Sequence, residues 1–140
     1  MILIIHFSAS LFMTGVIWLV QVVHYPSFKW ISRDTFPAYT HFHQKRISWI
    51  VLPVMIVELT AAVLQVLTIG GRLSLLALIL TLLIWISTFL LQVPLHRKLE
   101  LGWNQPVMRS LVWTNWLRTI LWTLKSSVLL MQIESIHLSF

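Results

Sequence analysis

Cysteine is absent from this sequence of 140 residues, and charged residues of either sign make up only 10% of it. The lack of cysteine excludes disulfide bonds, thiolate metal sites and cysteine nucleophiles, and it leaves the cellular compartment open. Hydrophobic residues make up 58% of the chain, and the mean hydropathy is +0.85. Soluble domains carry about 25% charged residues. The composition therefore indicates an integral membrane protein.

The alternation of polar and apolar residues that marks a membrane β-strand is lacking as well. Instead, four continuous apolar stretches occur at residues 1–23, 47–69, 73–93 and 107–133. A helix needs about 20 such residues to cross the hydrocarbon core. The first stretch lacks the basic start and the small-residue end of a signal peptide, so we expect a retained span. We predict one all-α domain over residues 1–140, an integral membrane up-down four-helix bundle with an interfacial segment at 26–46.

The net charge of +6 would point to nucleic acid in a soluble protein, but here it follows from topology. The loop after the first span and the loop after the third span lie on the same side of the membrane. By the positive-inside rule they face the cytoplasm, and both termini lie outside it. The expected location is the bacterial inner membrane, with lipids rather than nucleic acid as partners. The basic residues of these two loops are Lys29, Arg33, Lys45, Arg46, Arg97, Lys98 and Arg109.

Polar residues interrupt the fourth apolar stretch. Asn115, Arg118, Trp122 and Lys125 recur at steps of three and four, which places them on one helix face. An arginine in hydrocarbon costs about 2.5–3.5 kcal/mol, so Arg118 is expected to have a use or a partner. Lys125 lies about 10 Å further along the helix, and we expect it to extend to the outer interface.

Glu58 is the second costly residue. It lies about 18 Å beyond Arg46 along a helix, near the bilayer centre. Arg118 lies about 13–14 Å beyond Arg109, at a comparable depth. Two interpretations stay open. Glu58 and Arg118 either neutralise one another as a structural pair, or they form the floor of a polar pocket.

Histidines are expected to converge at the cytoplasmic face. Because successive helices alternate in direction, His24, His43 and His96 meet there, with Asn115 nearby. His43 points within about 60° of Glu58 on a helix, whereas His41 points about 100° away. We therefore predict a pocket in which Arg118 and Asn115 stabilise negative charge and His43, His24 or His96 moves a proton.

Haem or a metal ion is left open as a cofactor. A metal needs three or four donors, for which His24, His43, His96 and Glu58 are the available set. A bis-histidine haem needs two ligands, and His24 or His43 opposite His96 would supply them.

Two short motifs carry a family resemblance: residues 92–99 (QVPLHRKL) and 113–119 (WTNWLRT). They resemble the anthrone-oxygenase-like family of small four-helix membrane proteins. That family has a Pro-Leu-(Asn/His)-x-x-Leu end to its third helix and an Asn/His-x-x-Arg-Thr turn in its fourth. This chain differs in carrying His96 where asparagine is more often expected, and in its segments 24–26 and 41–46. The matching positions are Pro94, Leu95, His96, Leu99, Asn115, Arg118 and Thr119.

The resemblance implies oxidation of a lipophilic aromatic substrate by molecular oxygen. Our leading hypothesis is an oxygenase-like enzyme whose small lipophilic ligand arrives from the cytoplasmic leaflet. Its catalytic residues would be Arg118, Asn115, His43 and Glu58, with His24 and His96 as cofactor-binding residues. The alternative is a non-catalytic helical subunit, or a haem-binding membrane module, that packs against a partner protein. The sequence leaves oligomerisation open.

Overall fold

The structure is a computed structural model that describes residues 1–138, apart from the side chain of His137. It contains four long helical segments: α1 (Ile2–Trp30), α2 (Phe36–Thr68), α3 (Gly71–Glu100) and α4 (Gln105–His137). The described residues include no strand, so the predicted all-α class is confirmed.

Local sequence signals set the helix ends. Helix α2 starts at Phe36, with Pro37 in its first turn, where the missing N–H of proline costs nothing. Asn104 caps α4, because its side-chain oxygen accepts a hydrogen bond from the Val107 backbone N–H at 3.1 Å. Gly70 links α2 to α3 with φ at 69°, a left-handed conformation that favours glycine.

Consecutive helices run in opposite directions, as the contacts at the two ends of the molecule demonstrate. At one end His6, near the start of α1, bonds Gln65, near the end of α2, at 2.7 Å. At the other end Tyr25, late in α1, bonds His96, late in α3, at 3.2 Å. The first and third helices therefore finish at the level where the second and fourth begin.

The outside of the molecule is covered with apolar side chains. Leu11, Leu67 and Leu90, for example, are 53%, 75% and 69% exposed. The helices α1, α2 and α3 are long and apolar enough to cross a membrane. Helix α4 has the same length as α2 but is less apolar, because it carries buried polar side chains such as Asn115 and Lys125.

Two short π-helical segments interrupt the α-helical geometry of α1 and α3, at Val20–His24 and Thr88–Gln92. Each ends two residues before a proline, Pro26 or Pro94. Proline lacks the N–H for the bond to the carbonyl four residues back, and its ring collides with that carbonyl. The wider π turn accommodates this, and such segments are frequent at functional sites.

Candidate functional site

A small cavity lies between the helices at the end where α1 and α3 finish. Its volume is about 140 Å³. An engineered cavity of about 150 Å³ in another protein binds benzene, so this one has room for about one six-membered ring. Apolar residues including Met13, Ile17 and Val51 form part of the wall. The polar side chains in the wall that can hydrogen-bond a ligand include Tyr25, His43, Gln44, Gln92, His96 and Arg118.

Arg118 is a buried cation, and none of the residues that the structure describes supplies its counter-ion. It is only 8% exposed. Its side chain donates one hydrogen bond, from Nη1 to Asn115 Oδ1 at 3.3 Å, and its guanidinium lies 5.0 Å from the centre of the Trp122 ring. Among the described residues, no carboxylate pairs with it. Removing a charge from water costs several kcal/mol, and no described carboxylate compensates this cost for Arg118. An anion brought into the cavity would compensate it.

Two amides hold Arg118 in position. Asn115 Nδ2 donates to Gln21 Oε1 at 2.8 Å, and Gln21 Nε2 donates to the Val112 carbonyl at 3.3 Å. Gln21 lies in the first π segment, so the widened turn of α1 brings its amide against α4. The predicted placement of Asn115 and Arg118 on one helix face is confirmed, because their side chains bond one another.

The predicted convergence of histidines is confirmed. The rings of His24 and His43 stack with centroids 3.7 Å apart. His96 is contributed to the cavity wall by α3, and its Nε2 bonds the Tyr25 hydroxyl. The predicted difference between the two histidines of α2 is also confirmed. His43 lines the cavity, whereas His41 is exposed and pairs with Glu100 at 3.3 Å.

Three residues of the cavity wall keep a buried polar atom that bonds to no described residue: Arg118 Nε, Gln92 Oε1 and His96 Nδ1. The Gln92 amide is oriented by a bond from Nε2 to Thr114 Oγ1 at 2.9 Å. Buried polar groups are nearly always satisfied, so these atoms are suited to a ligand or to water. Together they offer a charged donor, an acceptor and a titratable ring nitrogen.

Glu58 lies outside this cavity. Its carboxylate accepts a hydrogen bond from Lys125 Nζ at 2.7 Å. The single N–H of Trp122 is shared between its two oxygens, with Nε1 at 3.1 and 3.2 Å. Lys125 is fully buried, so the prediction that it extends to the outer interface is wrong. A pairing of Glu58 with Arg118 is likewise not formed. The reason is an offset between α2 and α4 along their axes. Glu58 contacts Lys125 and Gln65 contacts Gln132, both at a spacing of 67 positions, so Arg46 lies level with a point on α4 about 6 Å beyond Arg109.

Sequence reasoning missed Tyr25, which orients His96, and a second polar cluster at the opposite end. There Gln65 bonds His6 and also donates to Gln132 Oε1 at 2.7 Å. Gln132 in turn donates to Ser74 Oγ at 2.8 Å. The available signal was an isolated amide in each of two apolar stretches, since a buried amide needs several partners.

The metal-ligand set considered from the sequence is not assembled in the structure. Glu58 is committed to Lys125, and the described residues contain no group of three or more His, Cys, Asp or Glu side chains arranged to hold a metal. The rings of His24 and His43 stack on one another, and so these two histidines do not face each other as a pair of haem ligands would. Comparisons with protein-family models, curated proteins and solved structures give no match.

Proposed function

We propose that all four helices cross the bacterial inner membrane, with both termini outside the cytoplasm. The polar side chains in the middle of α4, Asn115, Arg118 and Lys125, are buried, and apolar side chains lie on the outer face at this level. Ile120 and Leu124, for example, are 52% and 50% exposed. The basic loops after α1 and α3 then face the cytoplasm.

The absence of cysteine gives this topology a clean test, because a single introduced cysteine is the only thiol in the chain. Ser32→Cys marks the loop after α1, and Thr68→Cys marks the end of α2; both positions are exposed. In spheroplasts, we expect a membrane-impermeant maleimide to label Thr68→Cys at once and Ser32→Cys only after lysis. Labelling of Ser32→Cys in intact spheroplasts would contradict the proposed orientation.

We further propose that the cavity binds a small lipophilic molecule with an acidic or enolisable oxygen, and that the protein acts on it as an oxygenase-like enzyme. The observation that carries this is Arg118, a buried cation that faces the cavity and has no carboxylate partner among the described residues. A ligand oxyanion would compensate its charge.

The residues of the wall supply the parts of a proton abstraction. Arg118, oriented by Asn115, holds the oxygen on which negative charge develops. A cavity histidine, His43 or His96, takes a proton from a methylene group conjugated with that oxygen, and the two hydrogens of this group end in the water that is released. The electron-rich enolate then reacts with molecular oxygen: one oxygen atom becomes a new carbonyl on that carbon, and the other leaves as water.

The test compares Arg118→Leu with Arg118→Lys in purified, folded protein. Native mass spectrometry of protein extracted from membranes should detect a retained small molecule in the wild type. Oxygen uptake should accompany it, with 1,3-cyclohexanedione as the probe substrate, a single six-membered ring that carries an acidic methylene group. We expect Arg118→Leu to lose both signals at least a hundredfold and Arg118→Lys to retain part of each, because lysine keeps the charge but not the planar fork.

Unchanged retention and turnover in Arg118→Leu would refute the proposal. A Soret absorption band that disappears in His96→Leu would instead favour the haem-binding module. A colourless protein that is stable only with a second subunit would favour the non-catalytic role.

A further inference from the structure

An apolar groove runs along the outside of the molecule between α1 and α2, directly beside the cavity. Its volume is about 520 Å³, in the range of small-molecule sites. From Leu11 to His24 it extends about 20 Å along α1, at about 1.5 Å per residue, which is more than half of a hydrocarbon core about 30 Å thick. Its apolar lining includes Leu11, Phe12, Leu19 and Ile50.

The groove and the cavity adjoin one another. They share Val16, Val20, His43 and Ile47 as a common wall. The groove's ionisable residues, His24 and His43, lie at the end that adjoins the cavity, and the remaining lining is apolar. One end is therefore suited to a polar headgroup and the rest to hydrocarbon.

The size of the cavity determines how a ligand can use both spaces. With about 140 Å³, the cavity holds about one ring beside Arg118, so a larger lipophilic molecule must place its remainder elsewhere. The groove is the adjoining apolar space.

We propose that the ligand is a single-chain amphiphile. Its ring, which bears an ionisable or enolisable oxygen, sits in the cavity, and its hydrocarbon chain lies in the groove. It enters sideways from the cytoplasmic leaflet between α1 and α2. This inference rests on the proposed function, because the Arg118 cavity holds the head.

Gly15 makes the groove testable. It is exposed on the groove wall, and a Cβ atom there would meet no other side chain within 4 Å. A leucine at this position would fill part of the groove, and its Cβ atom would displace no described neighbour. Ser8 is exposed on the same helix but lies outside the groove, so Ser8→Leu is the matched control.

The expected effect is steric. Lipid tails are as apolar as leucine, so moving a chain from the bilayer into the groove gains little. The wild type should therefore bind long-chain and short-chain ligands comparably at equal mole fraction in the bilayer. A filled groove should reject only the long chain.

The experiment uses full-length protein in lipid nanodiscs, with occupancy read by native mass spectrometry. The probes are 4-dodecylphenol, 4-ethylphenol and 4-dodecylanisole, whose methyl ether cannot ionise. We expect the wild type and Ser8→Leu to bind both phenols but not the anisole. In Gly15→Leu, the affinity for 4-dodecylphenol should fall at least tenfold, and that for 4-ethylphenol should stay within twofold.

The outcomes separate the two proposals. If Gly15→Leu binds 4-dodecylphenol as the wild type does, the groove is overturned, while binding of 4-ethylphenol that needs Arg118 still supports the cavity. An equal loss of both phenols in Gly15→Leu also overturns the groove. If the wild type binds neither phenol, the head assignment fails and both proposals fall.

Discussion

Lys125→Met is expected to lower the free energy of unfolding by about 3–5 kcal/mol, because it leaves the Glu58 carboxylate buried and without a cation. Glu58 is 1% exposed and Lys125 is fully buried, so water cannot replace the lost partner. The bond between them measures 2.7 Å. Unfolding in a denaturing detergent titration, followed by tryptophan fluorescence, would measure the change.

The double variant Glu58→Gln/Lys125→Met is the control. It removes both charges and keeps a carbonyl oxygen for the Trp122 N–H, which bonds the carboxylate in the wild type. Replacing a buried ion pair by neutral groups is often neutral or stabilising, so most of the lost stability should return. A double variant as unstable as Lys125→Met would show that the pair is not the cause.

Arg118→Leu, in contrast, is expected to leave the free energy of unfolding of the ligand-free protein unchanged or to raise it. Arg118 lies on the same helix as Lys125, seven residues before it, and both cations contact the Trp122 ring. Because Arg118 lacks a carboxylate among the described residues, leucine removes a desolvated charge and leaves no anion behind. The ligand-free variant should therefore unfold at the same or a higher temperature than the wild type, while ligand binding is lost.

The same measurement with ligand present completes the test. A ligand at about 100 times its dissociation constant stabilises by about 2.7 kcal/mol, so the wild type should gain thermal stability and Arg118→Leu should not. Destabilisation of ligand-free Arg118→Leu as large as that of Lys125→Met would identify Arg118 as structural. That result would remove it from the site.

Helix positions and the meeting of the histidines were predictable, because both depend on local pattern. Apolar stretches of spanning length located the four helices, and alternating direction placed His24, His43 and His96 at one end. The choice of His43 over His41 needed only the angle between positions on a helix. These inferences hold whatever the exact packing.

The partner of Glu58 was not predictable, because it depends on how far α2 and α4 are displaced along one another. Arg118 and Lys125 lie on one helix face about 10 Å apart, so a displacement of that size exchanges one for the other. Depth counted from Arg46 and Arg109 assumes that both mark the same height. The groove at Gly15 was not predictable either, because it depends on where α2 lies beside α1. A glycine in an apolar stretch can equally allow two helices to pack closely with no groove between them.

The buried polar contacts also fix the vertical register of the helices. In lipid the hydrophobic effect does not draw helices together, so an apolar helix can slide along its neighbour at little cost. Three contacts at different heights prevent this: Gln65 with Gln132, Glu58 with Lys125, and Gln21 with Asn115. Slipping α4 by one turn, about 5.4 Å, would break all three at once. The register that aligns Arg118 with the cavity is thus held by residues that do not line it.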